Sequence, residues 1–237
     1  MSKKFIKGLE CTEAGFANGI STQLAEKQIL EGPEATLTEE EKSAIVERAA
    51  SAFGDFLTAL GCNWKKDPNS MDTPRRVAKA YMEKWGGRFN TITGITAFPS
   101  DGYDGMVVES NIPLTSMCSH HHEAIMGYVT VAYIPSKGGS VIGLSKINRI
   151  VEHFGRRGAI QEQLTMAIHR ALSGVLDGGH LGVAVSIDAV HNCVACRGVK
   201  HRGASMQTSK LSGCFLTEDS ARAEFMMYVS DAVRKRS

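Results

Sequence analysis

Two short stretches hold most of the residue types that bind metals and move protons: Ser116-Met-Cys-Ser-His-His-His122 and His191-Asn-Cys-Val-Ala-Cys-Arg-Gly198. Cys118 and His121 stand in C-x-x-H spacing, so one tight bend can aim a thiolate and an imidazole at a single ion. Cys193, far downstream, completes a soft N/S donor set. Two thiolates and one imidazole suit zinc, and three protein ligands leave a fourth position for water, the mark of a catalytic rather than a structural site. His120 and His191 adjoin these ligands, and imidazole is the side chain best matched to acid–base work near neutral pH. The pattern reads as a metal-assisted hydrolytic site.

Cys196 opens an alternative. With Cys118, His121 and Cys193 it would make a closed Cys3His set, a structural metal with no place for substrate. If the segment after His191 is extended, positions 191, 193 and 197 share a face and position 196 points away. The expectation is then an open site, with Cys196 packed behind the strand. A chance cluster of buried cysteines and exposed histidines is the third reading.

The surrounding elements must position these groups. Residues 1–36 carry Gly8, Gly15, Gly19, Gly32 and Pro33 without a sustained period, and read as an arm with a short helix around Gln23–Leu30. Thr38-Glu-Glu-Glu41 is a capping-box signature, and Ile45, Ala49, Phe53, Phe56 and Leu60 follow at helical spacing up to Gly61. A second helix is expected from Thr73-Pro74, with Thr73 as its cap and Val77, Tyr81 and Trp85 on its apolar side. Arg75, Arg76 and Lys79 crowd its first turn, against the helix dipole. That placement fits an anion nearby, or simply a solvated basic face. From Met106 the texture turns to β, with strands expected over Met106–Ser110 and Ala124–Ile134. A helix capped by Ser145 would bury Ile147, Ile150, Val151 and Phe154, and a second would bury Leu164, Ile168 and Leu172. Leu181–Val190 reads as a buried strand leading into His191, followed by a strand over 204–216 and a helix from Thr217. This divides the chain into an arm (1–36), a helical region (37–103) and an α+β domain (104–237).

Composition sets outer limits. The chain is 43% apolar and 22% charged with a net charge of +2, which does not favour a nucleic-acid partner. No apolar run approaches the ~18 residues of a membrane span. The start lacks the apolar stretch of an export signal, so the cytoplasm is the expected compartment and its six cysteines are expected as free thiols.

From about residue 38 to 233 the sequence resembles GTP cyclohydrolase I. The motifs are Met71-Asp-Thr-Pro-Arg-Arg-Val-Ala-Lys79, the Cys-x-His-His at 118–121, Val141-Ile-Gly-Leu-Ser-Lys-Ile-Asn-Arg149, Ile160-Gln-Glu-Gln-Leu-Thr165 and His191-x-Cys-x-x-x-Arg-Gly198. The resemblance implies the T-fold, a ββααββ antiparallel sheet with helices on one face, closing with its neighbours into a ring. It implies a homodecamer of two pentamers with active sites between subunits. The implied reaction converts GTP and water to 7,8-dihydroneopterin triphosphate and formate, the first step towards tetrahydrofolate-type pterins. One zinc per chain would be held by Cys118, His121 and Cys193, with His191 and His120 moving protons and Ser145 assisting at the ribose. Glu162 would accept from guanine N1–H and the 2-amino group, a charge-assisted pair, with Gln161 beside it. On position alone, a Gln-Glu pair early in a helix is commonplace. Arg76, Lys79, Lys146, Arg149 and Arg197 would hold the triphosphate, whose several negative charges need such a set.

Three positions depart from the family pattern. Ser119 stands where an acidic residue is usual, His122 replaces an apolar residue, and Cys196 replaces a small one. The alternatives are another purine or pterin enzyme of the same fold, lacking the full triphosphate set, and a zinc-stabilised ring-forming scaffold with a degenerate site. Release of formate from GTP separates them.

Overall fold

The computed structural model describes residues 36–236. The N-terminal arm and its expected helix, apart from residue 36, lie outside the described residues. Helix α1 (Glu39–Ala59) starts at the capping box: the Thr38 hydroxyl accepts from Glu41 N–H, and the Glu41 carboxylate accepts from Thr38 N–H. Three glutamates in its first turn complement the dipole. It packs on α2 (Thr73–Lys84), which opens with Pro74 in its first turn. The α2 cap position belongs to Asp72, whose side chain makes no capping bond, so the expected Thr73 cap does not form.

A one-turn helix, α3 (Gly86–Phe89), then presses the helical region onto the sheet domain. A Cβ on Gly87 would lie 2.1 Å from the His153 carbonyl oxygen, so only glycine permits this approach. Gly158 (φ +65°) makes the same allowance beside the Trp85 ring. These contacts anchor the end of α2 next to the chain that carries the histidines.

The central sheet is antiparallel, in the order β2 (Val107–Met117), β3 (Ala124–Pro135), β5 (His180–His191), β6 (Met206–Leu211). A two-stranded ribbon pairs β1 (Ala97–Pro99) with β4 (Ser140–Ile142). Between β3 and β5 the chain passes through β4 and the helices α4 (Leu144–Gly155) and α5 (Gln161–Leu176). One sheet face (Ile125, Val129, Val131, Val183, Val185, Ile187) packs against Ile147, Ile150, Val151 and Phe154 of α4 and Leu164, Ile168 and Leu172 of α5. Every one of those helical positions was expected inward from its period.

Several elements differ from expectation. Strand β2 runs on to Met117 rather than ending at Ser110. Pro113 is tolerated within it because β2 is an edge strand, where a missing N–H costs little. Ile112, Leu114 and Ser116 point inward while Pro113 and Thr115 face out. Gly143, not Ser145, holds the α4 cap position, and Ser145 is exposed within the first turn. Helices also cover both sheet faces rather than one. The short α7 (Cys214–Thr217) and α8 (Asp219–Arg234) pack Phe215, Phe225 and Val229 onto Ala132 and Ala184 of the second face. Small side chains at 132 and 184 let the aromatic rings approach. Beyond α8 that face leaves Met126 and Tyr128 exposed. No helix among the described residues is long and apolar enough to cross a membrane.

Candidate metal centre and the residues around it

The centre forms where strands end. β2 delivers Cys118 into a tight connection to β3, closed by Cys118 N–H to the Glu123 carbonyl (2.8 Å) and His122 N–H to the Cys118 carbonyl (2.9 Å). His122 takes a left-handed backbone conformation (φ 55°) to complete it. Its ring packs against Trp85 (centroids 5.2 Å) and Tyr81 (6.0 Å), tying the turn to the end of α2. The histidine that departs from the family pattern is thus held among aromatic rings. Ser119, His120 and His121 are exposed on the turn.

On the neighbouring strand, His191 is the last residue of β5 and pairs in register with Ile125. The chain does not continue extended. It winds into a single helical turn, α6 (Asn192–Ala195), closed by Cys196 N–H to the Asn192 carbonyl (2.9 Å). The turn, not strand alternation, brings Cys193 back beside His191. It also corrects the expected place of Cys196, which is exposed rather than packed behind a strand, its thiol donating to the Asn192 carbonyl (2.8 Å).

Ligand atoms of Cys118, His191 and Cys193 all lie within 4.8 Å of one another. Cys118 is buried; the other two are half-buried. His120 reaches the edge of this group, its Nδ1 3.7 Å from the Cys118 sulfur. His121, expected as a ligand, stands outside it on the exposed turn. Burial pushes the Cys193 thiol above its ordinary pKa, and the facing Cys118 thiol adds to the shift, while Arg197 pulls the other way. A thiol held against ionisation beside a second sulfur is what a divalent cation would relieve. Burial lowers the His191 pKa, with the Glu162 carboxylate opposing.

Glu162 and Arg197 are thus electrostatically coupled to the cluster, and both are exposed. Gln161 differs from its expected role: it is fully buried, and its amide oxygen accepts from His191 Nε2 at 2.8 Å. Ser145, Lys146 and Arg149 lie on the first turns of α4. Arg76 and Lys79 are on α2, away from the thiols in the chain's own contacts. Arg76 pairs with Asp72 (3.3 Å), and Lys79 lines a cleft of about 400 Å³ between α1 and α2 with Lys42 and Arg75. The Arg76–Asp72 pair is largely exposed, and pairs of that kind are worth only ~0.5 kcal/mol, so an anion would displace it easily. Cys62, Cys118, Cys193, Cys196 and Cys214 are all free thiols.

The fold and the cluster together define an antiparallel α+β protein whose centre has the donors to bind a metal. Residues 49–230 match the family model for GTP cyclohydrolase I. Relatives named GTP cyclohydrolase 1 include one from Pelagibacter ubique, 40% identical over 78% of this chain and 90% of its own length. One from Shewanella denitrificans is 41% identical over 81% and 86%, and one from Yersinia enterocolitica is 38% identical over 92% and 93%. The chain belongs to the GTP cyclohydrolase I family.

Proposed function

We propose that this protein hydrolyses and rearranges GTP to 7,8-dihydroneopterin triphosphate with release of formate, using one zinc ion per chain. The observation that carries the reading is the cluster of Cys118, His191 and Cys193, coupled to a guanine-sized acceptor in Glu162 and a phosphate-sized donor in Arg197, in a chain of this family. The donor chemistry fits zinc: two thiols at close range, with Cys196 turned to the Asn192 carbonyl so that one side stays open. Cys118 and Cys193 would hold the metal with His121, which stands three residues after Cys118 on the exposed turn. When bound, zinc supplies Lewis acidity and makes water acidic enough to act as a nucleophile near neutral pH.

In this reading His191 gives a proton to guanine N7 as the imidazole ring opens. His120, beside Cys118, serves the later proton transfers, and Ser145 assists at the ribose. Glu162 accepts from N1–H and the 2-amino group, while Arg76, Lys79, Lys146, Arg149 and Arg197 neutralise the triphosphate. The chain would adopt the T-fold assembly of its family, a decamer of two pentameric rings. The unpaired outer strands β2 and β6 and the exposed Met126 and Tyr128 support closure against further copies.

Incubation with GTP, following formate and the dihydropterin product together, tests the reaction; neither product at saturating zinc would leave a scaffold with a degenerate site. Glu162→Ala is expected to abolish the preference for GTP over ATP as a competitor, because the guanine donors lose their acceptor. GTP binding should weaken by no more than several kcal/mol, since the triphosphate contacts persist. Equal competition by GTP and ATP in the unmodified protein would end the guanine assignment.

The histidines are separable by metal analysis. His120→Ala and His191→Ala should each retain about one zinc per chain while turnover falls ~10²-fold or more; His121→Ala should lose the metal. Zinc lost from His191→Ala and kept by His121→Ala would transfer the ligand role to His191, whose imidazole already lies within 4.8 Å of both thiols.

A further inference from the structure

The hydrogen bonds around Gln161 determine which nitrogen of His191 carries its proton. Gln161 is the first residue of α5, fully buried beneath β5 and β6. Thr165 Oγ1 donates to the Gln161 carbonyl (2.8 Å), which uses the only proton of that hydroxyl. Thr165 and Thr208 hydroxyls lie 2.7 Å apart, so Thr208 must supply the proton between them. Thr208 Oγ1 is then an acceptor towards the Gln161 side chain, 3.1 Å from Nε2. The same nitrogen faces two further acceptors, the carbonyls of Met206 (2.9 Å) and Ile187 (3.3 Å).

Three acceptors around one end of the amide leave no freedom to flip it. Reversal would set Oε1 against two carbonyl oxygens in a buried position, with no proton between them. The amide nitrogen therefore belongs at the β6 end and Oε1 at the His191 end. A carbonyl oxygen only accepts, so the 2.8 Å contact requires a proton on His191 Nε2. In the neutral ring the lone pair is left on Nδ1.

We infer that Gln161 is a positioning residue that holds His191 as the Nε2–H tautomer, leaving Nδ1 as the nitrogen that meets the reacting groups. The identity of those groups rests on the GTP reading; the tautomer does not. Gln161 has its side-chain nitrogen and oxygen both engaged by protein, which makes it a positioning residue rather than the guanine contact the resemblance implied. The device depends on β6: Met206 and Thr208 of the outer strand orient an amide on α5 that orients a histidine on β5. In any proton transfer, Nε2–H stays on Gln161 and Nδ1 gives or takes the proton.

Neutron diffraction from deuterium-exchanged crystals of the full chain reads the proton positions directly. About two pH units above the ordinary imidazole pKa of ~6.5, deuterium is expected on His191 Nε2, on Gln161 Nε2 facing Met206, and on Thr208 towards Thr165. A bare His191 Nε2, or an amide oxygen facing Met206, overturns the inference, and this readout needs no variant and no activity. Gln161→Leu then separates positioning from substrate contact: kcat should fall ~10–100-fold with the KM for GTP little changed. A raised KM at unchanged kcat would return Gln161 to the guanine pocket and defeat the inference. Absence of turnover by the unmodified protein would refute the GTP reading while the neutron result still decides the tautomer.

Discussion

Cys193→Ser and Cys118→Ser are each expected to empty the metal site and to lower formate release from GTP by ~10²–10⁴-fold. The range is the several kcal/mol of Lewis-acid stabilisation a bound metal provides, at 1.36 kcal/mol per decade of rate. A serine hydroxyl does not ionise near neutral pH and is a hard, weak donor, so it cannot stand in for a thiolate on a borderline-soft ion. Fold should survive the Cys193 change, since that side chain is only half-buried at the edge of the core. Cys196→Ser is the control: its exposed sulfur is turned to the Asn192 carbonyl, and the variant should keep both metal and turnover. Metal content per chain and formate release, measured on the same preparations, check all three. Loss of metal from Cys196→Ser would mean that α6 rearranges to close a four-ligand structural site.

Co-expression of two inactive variants, Arg76→Ala and Cys118→Ala, is expected to restore activity that neither has alone. Within one chain, Arg76 lies on the exposed face of α2, paired to Asp72, whereas Cys118 is buried at the end of β2. The far end of α2 meets the metal turn through Tyr81, and Trp85 just beyond the helix, against His122. Arg76 sits five residues before Tyr81, about 7.5 Å further along the helix axis at 1.5 Å per residue. If its triphosphate belongs to a neighbour's centre, some interfaces in a mixed ring combine an intact Arg76 with an intact Cys118. Sizing must first establish that mixed rings form. Mixed rings with no more turnover than either parent would return Arg76 to its own chain's pocket.

The two thiols of the cluster, and much of the frame behind it, were readable without coordinates, whereas the imidazole found with them is His191 and not the expected His121. The Thr38 capping box, the inward positions of α4 and α5, and the run of β5 into His191 are local patterns, written in residues three, four or two apart. The thiol and imidazole donors declared themselves by type. What tertiary structure decided were relations between distant segments, or departures from the regular element that the pattern assumed. Cys193 reaches the cluster because the chain winds into α6, where alternation presumed a strand. Pro113 sits in β2 because that strand is an edge, a fact about its neighbours rather than itself. His122 is held by rings on α2, and the second sheet face is covered by α8 because Ala132 and Ala184 leave room there. Gln161 was expected beside Glu162 at the guanine, or as a commonplace exposed residue early in a helix. Its burial and its bond to His191, thirty residues away, follow from three elements meeting, and a hydrogen bond of that span leaves no periodic trace in the sequence because each partner satisfies its own element's pattern without it.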